Sequence, residues 1–188
     1  FMLQPEHEKI QINIEEKISR DIVQAVKDGQ AQLGVCWENA ELNGLSSLPY
    51  RSDQLVLALP IGHPLSKKKS IQFADAMDLS FVGLPASTAV SSILQREAAQ
   101  HGKQVNYRAI VSNFDSAFRV VAAGLGASVV PKEVGQMYVQ NQSICTIPLL
   151  DDWAKRRFVI CFRSKEELAA PSQSLLGFLA SKSTHHLE

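Results

Sequence analysis

Apolar and polar positions along this chain switch repeatedly between a period of two and a period of three to four, and the switches mark its elements. Ile10-Gln11-Ile12-Asn13-Ile14 alternates strictly, which predicts a half-buried strand. Ser19 stands where an N-cap would, and Ile22, Val23 and Val26 then share one helical face. Gly29 occupies the usual closing position. Gln32–Trp37 is a short apolar run that predicts a second, buried strand. Strand, helix and strand at this spacing predict a βαβ unit with parallel strands.

The same rhythm continues. Gln54–Pro60 predicts a strand, Ser66–Lys69 a charged loop and Ser70–Met77 a short helix. Leu79–Leu84 predicts the next strand, ending at Pro85. Ser87 or Thr88 can then cap a helix through Val90, Ile93, Leu94 and Ala98 to about Gly102. Val105–Val111 predicts a strand, followed by a helix through Phe118 and Val121 that Ser112 or Asn113 can cap. Gly124 and Gly126 break that helix, and Ala127–Val130 predicts a strand stopped by Pro131. A helix near Lys132–Tyr138, strands at Ile144–Leu149 and Arg157–Phe162, and a helix at Pro171–Ser181 complete the series. Strands alternating with helices of these lengths define an α/β fold.

Composition narrows the class. The 188 residues are 45% hydrophobic and 20% charged, ordinary globular proportions. Lysine plus arginine equals aspartate plus glutamate, at 19 each, so there is no basic footprint of the kind that grips phosphates. Any contact with DNA is therefore expected outside this segment. Cys36, Cys145 and Cys161 are scattered and none lies in a CxxC pair. Neither zinc nor a disulfide framework is implied, and reduced cytoplasmic thiols are expected. No apolar run approaches the ~20 residues of a membrane span. Phe1-Met2-Leu3-Gln4-Pro5 lacks the basic and apolar segments of a signal peptide and reads as the interior of a longer chain.

No catalytic constellation is legible in the sequence. Gly124-Leu125-Gly126 follows a helix and precedes a strand, the reverse of a dinucleotide fingerprint, so it reads as a turn. His7-Glu8 has no second histidine at helical spacing, His63 lies in a Gly-His-Pro turn, and His101 ends a helix. His185 and His186 lie in a terminal tail. Asp151-Asp152 read as turn residues and Lys67-Lys68-Lys69 as a solvated loop. No serine lies in G-x-S-x-G. No catalytic residue, metal ligand or cofactor is nominated.

Four blocks in order nevertheless resemble LysR-type transcriptional regulators. Asp53–Pro60 followed by His63-Pro64-Leu65 resembles their D-x-L-V-hydrophobic-P-x-x-HPL stretch. Ile22–Gly29 with Leu33-Gly34-Val35 resembles the segment before it. Asp78–Val82 and Val120–Pro131 resemble the two after it, and the blocks together span roughly 170 residues. The resemblance implies two Rossmann-like lobes of periplasmic-binding-protein type II architecture joined by two crossing strands. The first lobe would comprise residues 1–52 plus 152–188, and the second 53–151, with Gln54–Pro60 and Thr146–Leu150 as the crossings. It also implies a further strand and most of a helix ahead of Phe1.

In that family the effector lies between the lobes, beyond strand carboxyl ends and near helix N-termini, where free amides favour anions. The positions implied are Ser19, Trp37 and Glu38 on the first lobe, and Pro85, Ala86, Ser87, Thr88 and Asn113 on the second. The serines, Thr88 and Asn113 read equally well as simple helix caps. Glu38 would repel an acidic effector. A homodimer or homotetramer is implied, pairing the helix Ser19–Asp28 with Val90–His101 of a second copy through Ile22, Ala25, Ile93, Arg96, Glu97 and Gln100. DNA would be reached only through an N-terminal winged helix-turn-helix domain. Two alternatives share the fold: a periplasmic solute-binding protein, and an enzyme such as a deaminase or dehydratase. The first would need an export signal and the second a catalytic group.

Overall fold

A computed structural model describes residues 11–139 and 144–183. His7, Glu8, Ile10, His185 and His186 lie outside the described residues. In chain order the elements begin with α1 (Ser19–Lys27), β1 (Gly34–Trp37) and the long β2 (Ser46–Pro60). There follow β3 (Phe81–Gly83), α2 (Ala89–Gln100), β4 (Tyr107–Ile110), α3 (Phe114–Ala122), β5 (Ser128–Pro131) and α4 (Lys132–Val139). The last are β6 (Ile144–Pro148), β7 (Lys155–Phe162) and α5 (Ala170–Ser183). They form two compact units: the residues up to Ser52 with those from Arg157 onward, and Asp53–Arg156. The chain passes between units within β2 and within β7. Gln54–Pro60 and Thr146–Leu150, expected as the crossings, both lie wholly inside the second unit.

In the first unit β7 runs between β1 and β2. Side chains of a strand alternate between faces, and β7 uses both. Val159 and Cys161 join Cys36, Val23 and Val26 in a cluster on the α1 side. Ile160 and Phe162 join Leu168 and Leu176 in another, with Leu33, Leu48 and Tyr50 packed against it. β1 pairs with β7 antiparallel, from Gly34↔Cys161 to Trp37↔Phe158, so the expected parallel βαβ unit is not formed there. Among the described residues its expected first strand is absent as well. Gln11–Ile18 carries no regular structure, and Ile12 and Ile14 are 47% and 87% exposed. Alternation only assigns side chains to faces; a strand also needs a ladder partner for its backbone.

The second unit explains the unbroken apolar run of Gln54–Pro60. The second half of β2 pairs antiparallel with β5 on one side, Leu55↔Pro131 to Ala58↔Ser128. On the other it pairs with β6, Val56↔Pro148 to Pro60↔Ile144. Leu55, Leu57 and Leu59 enter one buried cluster with Phe73, Phe81 and Leu94. Val56 and Ala58 enter the other with Val82, Phe118 and Val121. Both faces are covered, so alternation vanishes. β3 and β4 are parallel across the α2 crossover, and the Ala127 amide, donating to the Ser80 carbonyl at 2.8 Å, ties β3 to the start of β5. The helix expected at Ser70–Met77 shrinks to one 3-10 turn, Phe73–Ala76, where the Phe73 amide donates to Asp151 Oδ2 at 2.8 Å.

Candidate functional site

The second unit presents two helix starts at the carboxyl ends of adjacent parallel strands. Between β3 and α2 runs Leu84-Pro85-Ala86-Ser87-Thr88, and of the two cap candidates it is Thr88 that caps. Its Oγ1 accepts from the Ser91 amide at 3.3 Å and donates to the Pro85 carbonyl at 2.9 Å. The buried Ser91 hydroxyl donates to the Leu84 carbonyl at 2.8 Å, fastening the turn from behind. Ala86 and Ser87 are exposed, Pro85 and Thr88 half-buried. After β4, Asn113 caps α3, its Oδ1 accepting from the Ser116 amide at 2.9 Å.

These two helix starts are not electrostatically alike. α3 carries Asp115 in its first turn, and α2 carries no acid there. The Tyr138 hydroxyl donates to Asp115. That bond, and then Arg119 with Nε 2.9 Å away, hold the Asp115 carboxyl below the usual carboxylate range. The start of α3 thus carries an Asp115–Arg119 ion pair, and the first turn of α2 carries no acid, which leaves its free amides open to an anion.

In the first unit Ser19 is not the cap it resembled. The N-cap is Ile18, with no side-chain bond, and Ser19 is the first helical residue. Its Oγ instead accepts the Trp37 backbone amide at 3.2 Å, bringing together two expected site residues 18 positions apart. The Trp37 ring is half-buried, and its indole Nε1 is buried without a hydrogen-bond partner among the described residues. Glu38 meets Arg157 Nε at 2.8 Å, and its amide donates to the Arg157 carbonyl at 2.9 Å. Its charge is compensated, which removes the objection to a carboxylate near an acidic effector. Arg157 was not nominated from sequence; nothing in its spacing shows that β7 lies beside β1.

A cavity of about 140 Å³ opens elsewhere in the second unit, beside Pro60, His63, Ser80, Arg108 and Gly124–Ala127. It contains none of the expected effector residues. It also sits at the starts of β3, β4 and β5, the end opposite the capped helices, and falls short of the ~300–1,000 Å³ usual for ligand sites. Of the positions expected at a subunit contact, Arg96 and Gln100 are exposed and Ile22 half-buried, while Ala25, Ile93 and Glu97 are buried within the chain. Among the described residues no group of three or more His, Cys, Asp or Glu could hold a metal, and no helix is long and apolar enough to cross a membrane. Cys36, Cys145 and Cys161 are free thiols.

Two α/β units with helix N-termini at strand carboxyl ends define the class, a periplasmic-binding-protein-like fold of type II. Solved structures with this fold include the effector-binding domain of QuiR in complex with shikimate (TM-score 0.74, 18% identity, covering 97% of this chain and 87% of that one). The regulatory domain of CcmR from Synechocystis PCC6803, in complex with 2-PG, is similar (TM-score 0.73, 18% identity, 89% and 81%). The LysR substrate binding domain family model matches residues 2–183, and the chain belongs to that family. Among curated relatives, a probable RuBisCO transcriptional regulator of Cyanophora paradoxa is 34% identical over 118 residues, 60% of this chain and 36% of that one. One from Emiliania huxleyi is 30% identical over 173 residues, 88% and 55%. The chain spans about half the length, or less, of such relatives.

Proposed function

We propose that this chain is the ligand-sensing part of a cytoplasmic LysR-type transcription regulator, not an enzyme. The family match over residues 2–183 carries the proposal. A small anionic effector binds the second unit at the turn Pro85–Thr88, at the amides that open α2 and at Asn113; on the first unit Ser19, Trp37 and Glu38 are the candidate contacts. An effector acts by its differential affinity for two arrangements of the protein. The readout passes to a homo-oligomer and to an N-terminal winged helix-turn-helix domain that reaches DNA. Two observations support this beyond the family: the acid-free start of α2 and the compensated charge of Glu38. Relatives of this fold whose structures contain shikimate, 2-PG or benzoate suggest where a ligand screen should begin.

Thermal unfolding against small carboxylates, aromatic acids and amino acids tests the proposal. Ligand at a hundredfold its dissociation constant adds ~2.7 kcal/mol, or on the order of 5–10 °C at this size. Ala86→Asp should abolish that shift while leaving the unliganded midpoint intact, because an exposed acid beside the start of α2 repels an anion. A shift that survives Ala86→Asp would move the effector away from α2. A flat response to every acid would refute the anionic class. For the oligomer, Arg96→Glu in the full-length regulator should shift sedimentation toward smaller species; an unchanged profile would remove α2 from the interface.

A further inference from the structure

The cavity at the starts of β3, β4 and β5 lies wholly within the second unit, at the end opposite the capped helices. Its wall is divided by chemistry. Leu59, Leu79 and Leu125 supply an apolar side. His63, Ser80, Arg108 and the Gly126 backbone supply a polar one, and no aspartate or glutamate among the described residues lines the space. Asp78, next in sequence to Leu79, is already held by Lys103 Nζ at 2.7 Å.

Each polar group there has a hydrogen to give. Arg108 is exposed and makes no ion pair or hydrogen bond among the described residues. His63 Nδ1 accepts the Leu65 amide at 3.2 Å, so the ring carries its proton on Nε2. Ser80 Oγ accepts from Asn106 Nδ2 at 3.4 Å, which leaves its own hydroxyl hydrogen to donate. The amides of Leu125 and Ala127 are bonded, to the Val120 and Ser80 carbonyls, whereas the Gly126 amide between them donates to none of the described residues.

Size fixes what can enter. The volume of about 140 Å³ is close to the ~150 Å³ that holds benzene in an engineered apolar cavity, so a guest has about six non-hydrogen atoms. The donors call for an anion and the leucines for a short hydrocarbon. We infer that this cavity binds a short-chain monocarboxylate, its carboxylate on Arg108 and its alkyl end against Leu59 and Leu79. A planar guanidinium meets a carboxylate with two parallel bonds. A dicarboxylate would press its second charge against the leucines, so the site selects a single one. The carboxyl end of α3, just before Gly124, carries partial negative charge and opposes an anion. Arg108 is therefore the group on which binding depends. The site is separate from the effector turn at the start of α2, and neither requires the other.

Amide NMR of the full chain, titrated with sodium butyrate, tests the inference. Saturable shifts are expected at Ser80 and Gly124–Ala127, and equally in Ala86→Asp, where the start of α2 is blocked to anions. Arg108→Gln changes an exposed side chain and should weaken binding about tenfold or more, with amides outside the cavity unmoved. Butyramide, the same size without the charge, should bind as poorly. No saturable shift at these amides overturns the inference, as do shifts that survive Arg108→Gln or that butyramide reproduces. Shifts lost in Ala86→Asp would assign the carboxylate to α2, and equal shifts with sodium chloride would show an unselective anion site; either result also overturns it.

Discussion

At Gly126 a β-carbon would lie 2.6 Å from the Ser80 carbonyl oxygen and 3.2 Å from its carbon, and that carbonyl already accepts the Ala127 amide. The neighbour is backbone and cannot turn aside. Gly126→Ala should therefore lower stability by about 1–3 kcal/mol, read as a fall in the urea midpoint. Gly124 differs: its φ is +78° and its surroundings are open, so asparagine, which tolerates left-handed backbone, should be accepted there with little loss. Asp115 offers a titration test at the same scale. Its lowered pKa means that its bonds to Tyr138 and Arg119 stabilise the fold above the ordinary carboxylate value, about pH 4. That contribution is lost as pH falls through the lower folded value. Tyr138→Phe keeps the ring stacked on Phe118 but removes the hydroxyl, so the NMR titration midpoint of Asp115 should move upward. Cys36 is a third case. Its hydrogen bond with Cys161 and then its burial push its thiol up, and both sulfurs are enclosed, so neither should react with a thiol reagent before unfolding.

Among the elements, the caps were the features most legible in sequence, though one was misleading. Thr88 and Asn113 cap α2 and α3 as a Ser/Thr/Asn before an apolar periodic run suggests. Thr88→Ala should cost about 1 kcal/mol, measured by urea unfolding, and Ser87→Ala close to nothing, since Ser87 makes no cap bond. Ser19 carries the same local signal and serves otherwise, because β1 brings the Trp37 amide to its hydroxyl. The alternation of Ile10–Ile14 was equally clear and formed no strand among its described residues. Local pattern reports which residues would share a face, and nothing about whether a partner strand exists.

For the molecule as a whole, the two units are unequal in how they are encoded. Every residue of the two buried clusters of the second unit falls between Leu55 and Ala154, one continuous stretch. The sheet of the first unit draws β1 and β2 from one end of the chain and β7 from the other. A fragment of residues 53–156 should accordingly show a cooperative thermal transition by circular dichroism, whereas residues 1–52 alone should not. A fragment of 53–156 without a transition would show that the second unit depends on the first.

What the sequence determined by itself was local or carried by motif: the α/β rhythm, two of three caps, the glycine turn before β5, and the LysR resemblance later met by a family match. Those features depend on neighbours within a few residues, where spacing fixes geometry. Pairing across long separations came only with the fold. It set β1 antiparallel to β7, Ser19 against Trp37, Glu38 against Arg157, and Asp53 against Arg156. A charge or hydroxyl on a strand looks the same in sequence whether its partner is a helix amide, an arginine a hundred residues away, or water. Only the fold brings the partner within reach.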